Sequence, residues 1–280
     1  MKVFEKISEI KNYLSEFRKE KTIGFVPTMG ALHEGHLSLI RTSKYENDIT
    51  VVSIYVNPTQ FNDVDDFKNY PRMIDVDLEK LKSVDCDVVF CPDDREMYPE
   101  KDNRVFDLGG LDKVMEGKYR EGHFNGVAQV VTKLFDIIQP HRAYFGQKDF
   151  QQLAIIKYLV QSLNIPVEII GCPTVRESDG LAMSSRNLLL NAEERKVALE
   201  LSKILFYVKE NYKNFKSIEE IYNFVYNYLQ KFPIIKLDYF EIVDNKTLQK
   251  INDINKIGDG VTACIAAKVG KIRLIDNVSF

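Results

Sequence analysis

Two histidines, separated by a glutamate and a glycine, are the residues whose types and spacing most clearly indicate chemistry. They end the segment at residues 27–36, P-T-M-G-A-L-H-E-G-H, which lies between a predicted buried strand and a predicted helix. Residues three apart on a helix share a face, so His33 and His36 are predicted to act together. Gly35 removes a side chain where a ligand must approach the backbone, and free N–H groups at a helix N-terminus attract anions. This combination suits the phosphates of ATP, where negative charge grows while pyrophosphate is displaced.

Other interpretations of the histidine pair stay open at this point. A His-x-x-His pair is often incidental, or it forms half of a metal site. Zinc is disfavoured because the chain has only two other histidines, His123 and His141, and no cysteine lies nearby in the sequence. We therefore predict no metal site made of protein ligands.

A lysine and two amides follow another predicted strand. Residues 146–152 read G-Q-K-D-F-Q-Q and open a predicted helix. Lys148 is a point charge suited to phosphate, and Asp149 is placed to cap the helix or to orient Lys148. Gln152 lies about one turn inside the helix, where its amide can donate to a carboxylate. The alternative is a plain capped helix without a ligand.

A third polar segment, M-S-S-R-N at residues 183–187, combines two hydroxyls with a guanidinium. Such a loop can grip a triphosphate through charge-assisted hydrogen bonds. The alternative is a helix N-cap followed by a surface arginine.

Two weaker segments complete the set. Residues 56–61, V-N-P-T-Q-F, place amides after a buried strand, and residues 120–126, R-E-G-H-F-N-G, are compatible with a glycine-rich loop beside a site. Each segment is a weak indication alone. Because all five fall on loops at the same predicted sheet edge, together they favour one nucleotide site.

The elements that must position these residues alternate between strands and helices. Strands are predicted at residues 22–26, 49–56, 87–90, 142–145 and 167–170, and helices at residues 4–17, 37–45, 74–84, 127–138 and 150–163. This rhythm predicts an α/β fold, a Rossmann-like parallel sheet with helices on both faces. Ligands of such sheets bind at the carboxyl ends of the strands. The loops at those ends follow Val26, Val56, Phe145 and Ile170.

The pattern changes after about residue 173. Residues 191–230 form two charged amphipathic helices, and strands are predicted at residues 238–243, 261–269 and 272–275. The last two strands meet at Gly270-Lys271, a two-residue turn signature. We predict a Rossmann-like domain over residues 1–173 and a smaller α+β domain over residues 174–280.

The composition excludes several classes of protein. The 280 residues include 38 Lys and Arg and 41 Asp and Glu, and a net charge of −3 argues against a general nucleic-acid binder. No stretch approaches the roughly 20 apolar residues that a membrane span needs, and the charged N-terminal region does not resemble a secretory signal. Four cysteines without a C-x-x-C pair indicate buried thiols in a reducing cytosol. We expect a cytoplasmic protein that binds neither nucleic acid nor membrane.

Taken in order, these segments resemble one family. The set P-T-M-G-x-L-H-x-G-H, V-N-P-x-Q-F, G-H-F-x-G-V, F-G-x-K-D-x-Q-Q and S-S-R-N, followed by R-L-I-D-N, is similar to the pantoate–β-alanine ligase (pantothenate synthetase) family. The resemblance runs from Ile23 to Asn277 without large gaps. Residues 33–36 resemble the HIGH motif of the nucleotidyltransferase superfamily, and residues 183–186 resemble its mobile KMSKS-like loop.

The resemblance implies an AMP-forming ligation in two steps. The carboxylate of pantoate attacks the α-phosphate of ATP, which gives pantoyl adenylate and pyrophosphate. The amine of β-alanine then attacks the acyl carbon, which releases pantothenate and AMP. Members of the family use Mg²⁺ with ATP and are cytoplasmic homodimers, in which the smaller C-terminal domain closes over the ATP as a lid.

The resemblance also implies roles for residues that match the family's motifs. His36, usually assigned as a proton donor, His33 and Lys148 are the implied catalytic residues. Gln60 and Gln152 hold pantoate, and Gln60 is shared with β-alanine. The implied ATP contacts are Met29, Gly30, His33, Gly35, His36, Gly146, Lys148, Asp149, Val175, Met183, Ser184, Ser185 and Arg186.

Two positions depart from the family's pattern. Asn125 stands where a basic residue is frequent, and Gln147 stands where glutamate is common. Two other functions stay open: a nucleotidyltransferase that adenylates a phosphate acceptor, which does not require the two glutamines, and a catalytically inactive nucleotide-binding module. Whether His36 transfers a proton or only donates hydrogen bonds is also open.

Overall fold

The computed structural model describes residues 1–62 and 64–280, which form two compact units. The first unit contains Met1–Gly109, Arg120–Gln147 and Ile155–Pro173. In these described residues its sheet has six parallel strands in the order β1-β4-β3-β2-β5-β6. The strands are β1 (Lys2–Phe4), β2 (Ile23–Thr28), β3 (Ile49–Ile54), β4 (Val88–Phe90), β5 (Arg142–Gly146) and β6 (Glu168–Cys172).

Helices flank this sheet. In the first unit they are α1 (Ile7–Ser15), α2 (Glu34–Glu46), α3 (Val64–Asn69), α4 (Ile74–Ser83), α5 (Asp94–Met97), α7 (His123–Ile138) and the part of α8 (Phe150–Ser162) that follows Ala154, whereas α6 (Glu116–Tyr119) lies in the second unit. Successive strand side chains point to opposite faces. Phe25 packs edge-to-face on Phe135 of α7, with ring centroids 6.3 Å apart, whereas Val26 shares a buried cluster with Ile40 of α2. The predicted α/β fold, with a parallel sheet covered by helices, is confirmed.

The start of the chain differs from the prediction. The apolar spacing predicts a helix from residue 4, but Lys2–Phe4 form β1 and pair with Val88–Phe90 of β4. The Lys2 N–H donates to Asp87 O, and the Cys91 N–H donates to Phe4 O, both at 2.8 Å. A strand of this length is stabilised by its distant partner, and local spacing carries no information about that partner.

Strand β2 also continues further than predicted. Pro27 does not end it but pairs with Ser53 of β3, and the strand runs to Thr28. On the other edge of β2, the ladder to β5 pairs only Gly24 and Phe25. Proline cannot donate a ladder hydrogen bond, and it is tolerated where no neighbour needs one.

The second unit contains Gly110–Tyr119, Lys148–Ala154 and Thr174–Phe280. In the described part of the chain, its antiparallel sheet has the order β7-β8-β9, with β7 (Ile235–Asp244), β8 (Val261–Val269) and β9 (Ile272–Ser279). Gly270, with φ of +59°, makes the predicted turn between β8 and β9. Helices α9 (Ala192–Asn211) and α10 (Ile218–Leu229) complete this α+β unit, and their apolar residues share one buried cluster with those of the sheet.

Two segments that precede residue 173 belong to the second unit. Glu116 in the first of them accepts from both terminal nitrogens of Arg273 on β9, at 2.6 and 2.8 Å. Gln151 joins the two segments, since its Nε2 donates to Leu111 O and Val114 O. The division of the sequence at residue 173 assigned both segments to the first domain. In the structure, Lys148, Asp149 and Gln152 lie in the second unit. The roles of the two domains stay predictions.

Candidate active site

The two histidines of the H-E-G-H segment cap helix α2. His33 is the N-cap residue, in extended conformation, and its Nδ1 accepts from the Gly35 N–H at 3.1 Å. The His33 N–H in turn donates to Nδ1 of His36 at 3.3 Å. Their ring centroids are 4.1 Å apart. The pair is therefore adjacent as predicted, although His33 precedes the helix instead of lying within it.

This capping pattern assigns a protonation state to both rings. A nitrogen that accepts a hydrogen bond carries no proton, so in each neutral imidazole the proton is on Nε2. Protonation of Nδ1 would place two N–H groups against each other and break the cap. The geometry therefore assigns the Nε2–H tautomer to each ring in its neutral form.

The loop before α2 is held by a buried carboxylate. Asp77 of α4 is 0% exposed and accepts from the N–H groups of Ala31 and Leu32 at 2.8 and 2.7 Å. Lys80, one turn further, donates to Leu32 O at 2.6 Å. Gly30 adopts φ of +80°, and a Cβ there would lie 3.0 Å from Asp77 Oδ2. Glycine is thus required where the loop approaches this carboxylate.

Asp77 is a positioning residue that the sequence analysis missed. It lies on the apolar side of its helix, four residues before the fully buried Leu81. A carboxylate at a core position is seldom found without partners. A carboxylate on the apolar side of a helix is therefore the sequence signal that could have identified Asp77.

The amide of Gln60 has a fixed orientation. Its Oε1 accepts from Asn57 Nδ2 at 3.2 Å, and its Nε2 lies 3.1 Å from Met29 Sδ. Asn57 is 1% exposed, and its Oδ1 accepts from the Tyr98 hydroxyl at 3.0 Å. Because Oε1 accepts from Asn57 and one Nε2–H donates to Met29 Sδ, the second Nε2–H is the donor that the Gln60 amide can offer to a ligand.

Helix α7 packs against the backbone of Thr59 and Gln60. Gly126 approaches so closely that a Cβ there would overlap Thr59 O. Nδ1 of His123, 5% exposed, lies 2.7 Å from Gln60 O. The G-H-F-N-G-V motif is therefore a packing surface for the turn that carries Gln60.

Asn125, one of the two departures from the family's pattern, has a local role. Its Nδ2 donates to Arg104 O at 3.1 Å, and its Oδ1 accepts from the Phe106 N–H at 2.9 Å. A basic residue could not accept the second hydrogen bond. Gln147, the other departure, is exposed in a 3₁₀ turn.

Lys148 and Gln152 lie at the start of helix α8 in the second unit. The Lys148 ammonium is 4.0 Å from Asp149 Oδ1, its only carboxylate neighbour at ion-pair distance in the described residues. Gln152 is half-buried in the first turn of the same helix. Gly146, in the first unit, has no atom within 4 Å of an added Cβ, so protein packing does not require glycine there.

The Met183–Arg186 segment follows a short hairpin. The Met183 N–H donates to Val175 O at 3.0 Å, and Arg176 and Ala182 form a β-bridge. The Ser184 hydroxyl accepts from the Arg186 N–H at 3.3 Å and caps the 3₁₀ helix Ser185–Leu189. Ser184 is thus a helix N-cap, as the alternative interpretation of this segment predicted.

The predicted residues divide between the two units as follows. The first unit brings together Met29, Gly30, His33, Gly35, His36 and Gln60 and also contains Gly146. The second unit contains Lys148, Asp149, Gln152, Val175, Met183, Ser184, Ser185 and Arg186.

A sequence profile of the pantoate-beta-alanine ligase family matches residues 2–279. The chain belongs to this family of ligases. The pantothenate synthetase of Bacteroides fragilis is 49% identical over 281 residues, which cover 100% of this chain and 99% of that protein. That of Pseudothermotoga lettingae is 51% identical over 278 residues, with 99% and 98% covered. The family predicted from the motifs is confirmed.

Solved structures of the ligase family share the fold. Pantothenate synthetase from Thermus thermophilus superposes with a TM-score of 0.93 at 40% identity, over 100% of this chain and 99% of that one. Pantoate-beta-alanine ligase from Francisella tularensis, solved as a complex with Beta-gamma ATP and β-alanine, gives 0.83 at 38% identity, over 100% and 97%.

The described residues contain neither a metal-ligand cluster nor a membrane-spanning helix. Among residues 1–62 and 64–280, no group of three or more His, Cys, Asp or Glu side chains could hold a metal ion. None of the helices described here is long and apolar enough to cross a membrane.

Proposed function

We propose that this ligase condenses pantoate with β-alanine in an ATP-dependent reaction that passes through pantoyl adenylate. The proposal is carried by the adjacent histidines at the start of α2, with ring centroids 4.1 Å apart, whose Nε2–H groups suit a polyphosphate. The Francisella relative, solved with an ATP compound and β-alanine, supports the same pair of substrates. The products are pantothenate, AMP and pyrophosphate.

In the first step, a carboxylate oxygen of pantoate bonds to the α-phosphorus of ATP, and the bond from that phosphorus to the bridging oxygen breaks. The departing pyrophosphate gains negative charge. His33 and His36 donate hydrogen bonds from Nε2, and Lys148 supplies positive charge to the phosphates. Nδ1 of each imidazole accepts a backbone hydrogen bond, which leaves Nε2 as the donor. We therefore assign His36 as a hydrogen-bond donor that need not transfer its proton.

Neutral amides select the acid. Gln60 offers its second Nε2–H, because Asn57 donates to Oε1 and the first Nε2–H donates to Met29 Sδ. We assign Gln60 and Gln152 to the carboxylate and hydroxyls of pantoate. Ser184, Ser185 and Arg186 are assigned to the triphosphate, where a guanidinium forms paired hydrogen bonds to phosphate oxygens.

In the second step, the neutral amine of β-alanine attacks the acyl carbon of the adenylate, and the acyl–oxygen bond to AMP breaks. The nitrogen loses one proton to solvent, and AMP leaves as the phosphate monoester. Water competes with the amine for the same carbon, so protection of the adenylate is part of the task.

Mg²⁺, a homodimer and the cytoplasm belong to the same proposal. We treat Mg²⁺ as part of the ATP substrate, since this ion is held largely by phosphate oxygens and water. Three of the four cysteines, Cys86, Cys172 and Cys264, are buried thiols, which is compatible with a reducing compartment. The use of Mg²⁺ is tested by measuring activity without the ion. The homodimer is tested by measuring the mass of the protein in solution.

The test of the reaction is product analysis. Incubation with Mg-ATP, pantoate and β-alanine should yield AMP, pyrophosphate and pantothenate in equal amounts. Formation of a dinucleotide-like product from a phosphate acceptor, without AMP, would indicate a nucleotidyltransferase. Nucleotide binding without turnover would indicate an inactive module.

The histidine assignment has its own test. His36→Ala should lower the rate of pyrophosphate release by about 10²–10³-fold, the scale of losing one preorganised donor. Capture of preformed adenylate by β-alanine should change far less. His141→Ala removes an imidazole elsewhere in the first unit, one that accepts from the Ile23 N–H at 2.9 Å, and it is the control for loss of a structural histidine. Equal losses in both half-reactions would contradict the assignment.

A further inference from the structure

The end of strand β9 holds the backbone of Lys148. Nδ2 of Asn277, a residue only 8% exposed, donates to Lys148 O at 2.9 Å. That carbonyl lies in the turn Gln147–Asp149, immediately before α8. The position of the carbonyl fixes the origin of the Lys148 side chain.

The neighbouring residue on β9 forms a buried ion pair. Asp276, whose side chain is 4% exposed, accepts from both terminal nitrogens of Arg176 at 2.7 and 2.8 Å. The Ser202 hydroxyl adds a hydrogen bond to Asp276 Oδ2 at 3.0 Å. A paired, multiply hydrogen-bonded carboxylate of this kind has one preferred geometry.

The ion pair and the Lys148 contact are parts of one network. The Asn277 N–H donates to Asp276 Oδ1 at 2.7 Å, and Arg176 Nη2 donates to Asn277 O at 3.2 Å. Arg176 itself lies in the hairpin that leads to Met183, bridged to Ala182. The dipeptide Asp276-Asn277 therefore contacts both segments of the second unit that carry cationic candidates for phosphate binding.

We propose that Asn277 and Asp276 are positioning residues for phosphate binding: Asn277 sets Lys148, and Asp276, through Arg176, sets the hairpin that precedes Arg186. This inference rests on the proposed function, because it assumes that Lys148 and Arg186 bind ATP phosphates. It gives a task to the R-L-I-D-N motif, which contributes no group to the proposed chemistry.

The central experiment compares Asn277→Ala with a matched control on the same sheet. Thr262→Val removes a buried hydroxyl of β8 that bonds Asn245 and Ser279 and that has no contact with Lys148. Asn277→Asp keeps the shape of the side chain and removes the Nδ2 donor. It replaces Asn277→Ala in the comparison if the alanine variant folds poorly. Thermal midpoints of all variants are recorded, and activity is measured well below them.

For Asn277→Ala we expect kcat/KM for ATP in pyrophosphate release to fall by tens of fold, up to about 10²-fold, the scale of a displacement near 1 Å. KM for β-alanine should stay within twofold of wild type. In a Lys148→Ala background, Asn277→Ala should cause less than a threefold further loss, because its effect passes through Lys148. Thr262→Val should lower the thermal midpoint but leave kcat/KM unchanged.

A readout that does not depend on turnover separates this inference from the proposed function. Hydrogen exchange of the amides in residues 148–154 should accelerate in Asn277→Ala and Asn277→Asp and stay at the wild-type rate in Thr262→Val. Unchanged exchange overturns the inference whether or not the protein makes pantothenate. An active wild type with Asn277→Ala indistinguishable from Thr262→Val also overturns it, whereas an inactive wild type overturns the proposed function.

Discussion

Replacement of Asp77 tests how the histidine loop is held in place. Asp77 accepts from the backbone N–H groups of Ala31 and Leu32, and both of these residues are 1% exposed. In Asp77→Asn one carboxylate oxygen becomes an NH₂ group, which faces an N–H that it cannot accept from. One buried donor is then left without a partner, at a cost of about 1–3 kcal/mol.

The same change should alter the chemistry, because Leu32 directly precedes His33. An outward shift of the loop by about 1 Å is enough to lower the rate of a positioned reaction by up to about 10²-fold. We therefore expect Asp77→Asn to lose both stability and pyrophosphate release, and Asp77→Ala, which leaves two donors unpaired, to lose more of each.

Denaturant unfolding, monitored together with the rate of pyrophosphate release, measures both effects. Asp75→Asn is the matched control, since Asp75 is an exposed carboxylate in the first turn of the same helix. Such a surface change is expected to stay within about 0.5 kcal/mol of wild type. If Asp77→Asn and Asp75→Asn have the same stability, the carboxylate does not hold the loop and the reasoning is wrong.

Three further predictions concern other parts of the molecule. Lys148→Ala should lower the rate of adenylate formation by about 10²–10³-fold, which a pyrophosphate-release assay checks; a near-normal rate would exclude its phosphate role. Gly126→Ala places a Cβ against Thr59 O and should cost about 1–3 kcal/mol of overpacking, and an unchanged unfolding midpoint would show that α7 can move away. The Arg104 guanidinium beside Asp102 lowers the pKa of that carboxyl, so its contribution to stability is present above the unfolded pKa of about 3.9 and is lost as the pH falls through the folded value. Asp102→Asn should therefore lower the thermal midpoint at pH 7, and this effect should shrink as the pH falls through the folded pKa of Asp102.

The elements that sequence predicts well are those whose own residues carry the pattern. Strand β3 is rich in β-branched residues and contains no charged residue, and H-E-G-H opens a helix after β2, as the spacing indicates. Their side chains face neighbours that any parallel sheet with covering helices supplies. For this reason the fold class and the location of the histidine pair follow from the sequence.

Features that depend on distant partners are not predictable in this way. Asn277 and Lys148 are separated by 129 residues, and nothing near either of them indicates the other. The orientation of the Gln60 amide likewise depends on Asn57, whose own orientation depends on the Tyr98 hydroxyl 41 residues away. Residue types can be recognised from motifs, but the hydrogen bonds that aim them are set by the tertiary fold.

The ion pair between Glu116 and Arg273 joins residues 157 positions apart in the chain. During synthesis on the ribosome, residues 110–119 emerge long before β9, so this part of the second unit cannot be completed until the last strand has been made. Contacts of such long sequence separation slow folding, since the chain must close a large loop before it gains from them. A fragment that starts at residue 174 would lack Glu116 altogether and would leave Arg273 short of a partner. We therefore expect the nascent second unit to acquire its structure only after β9 has left the ribosome.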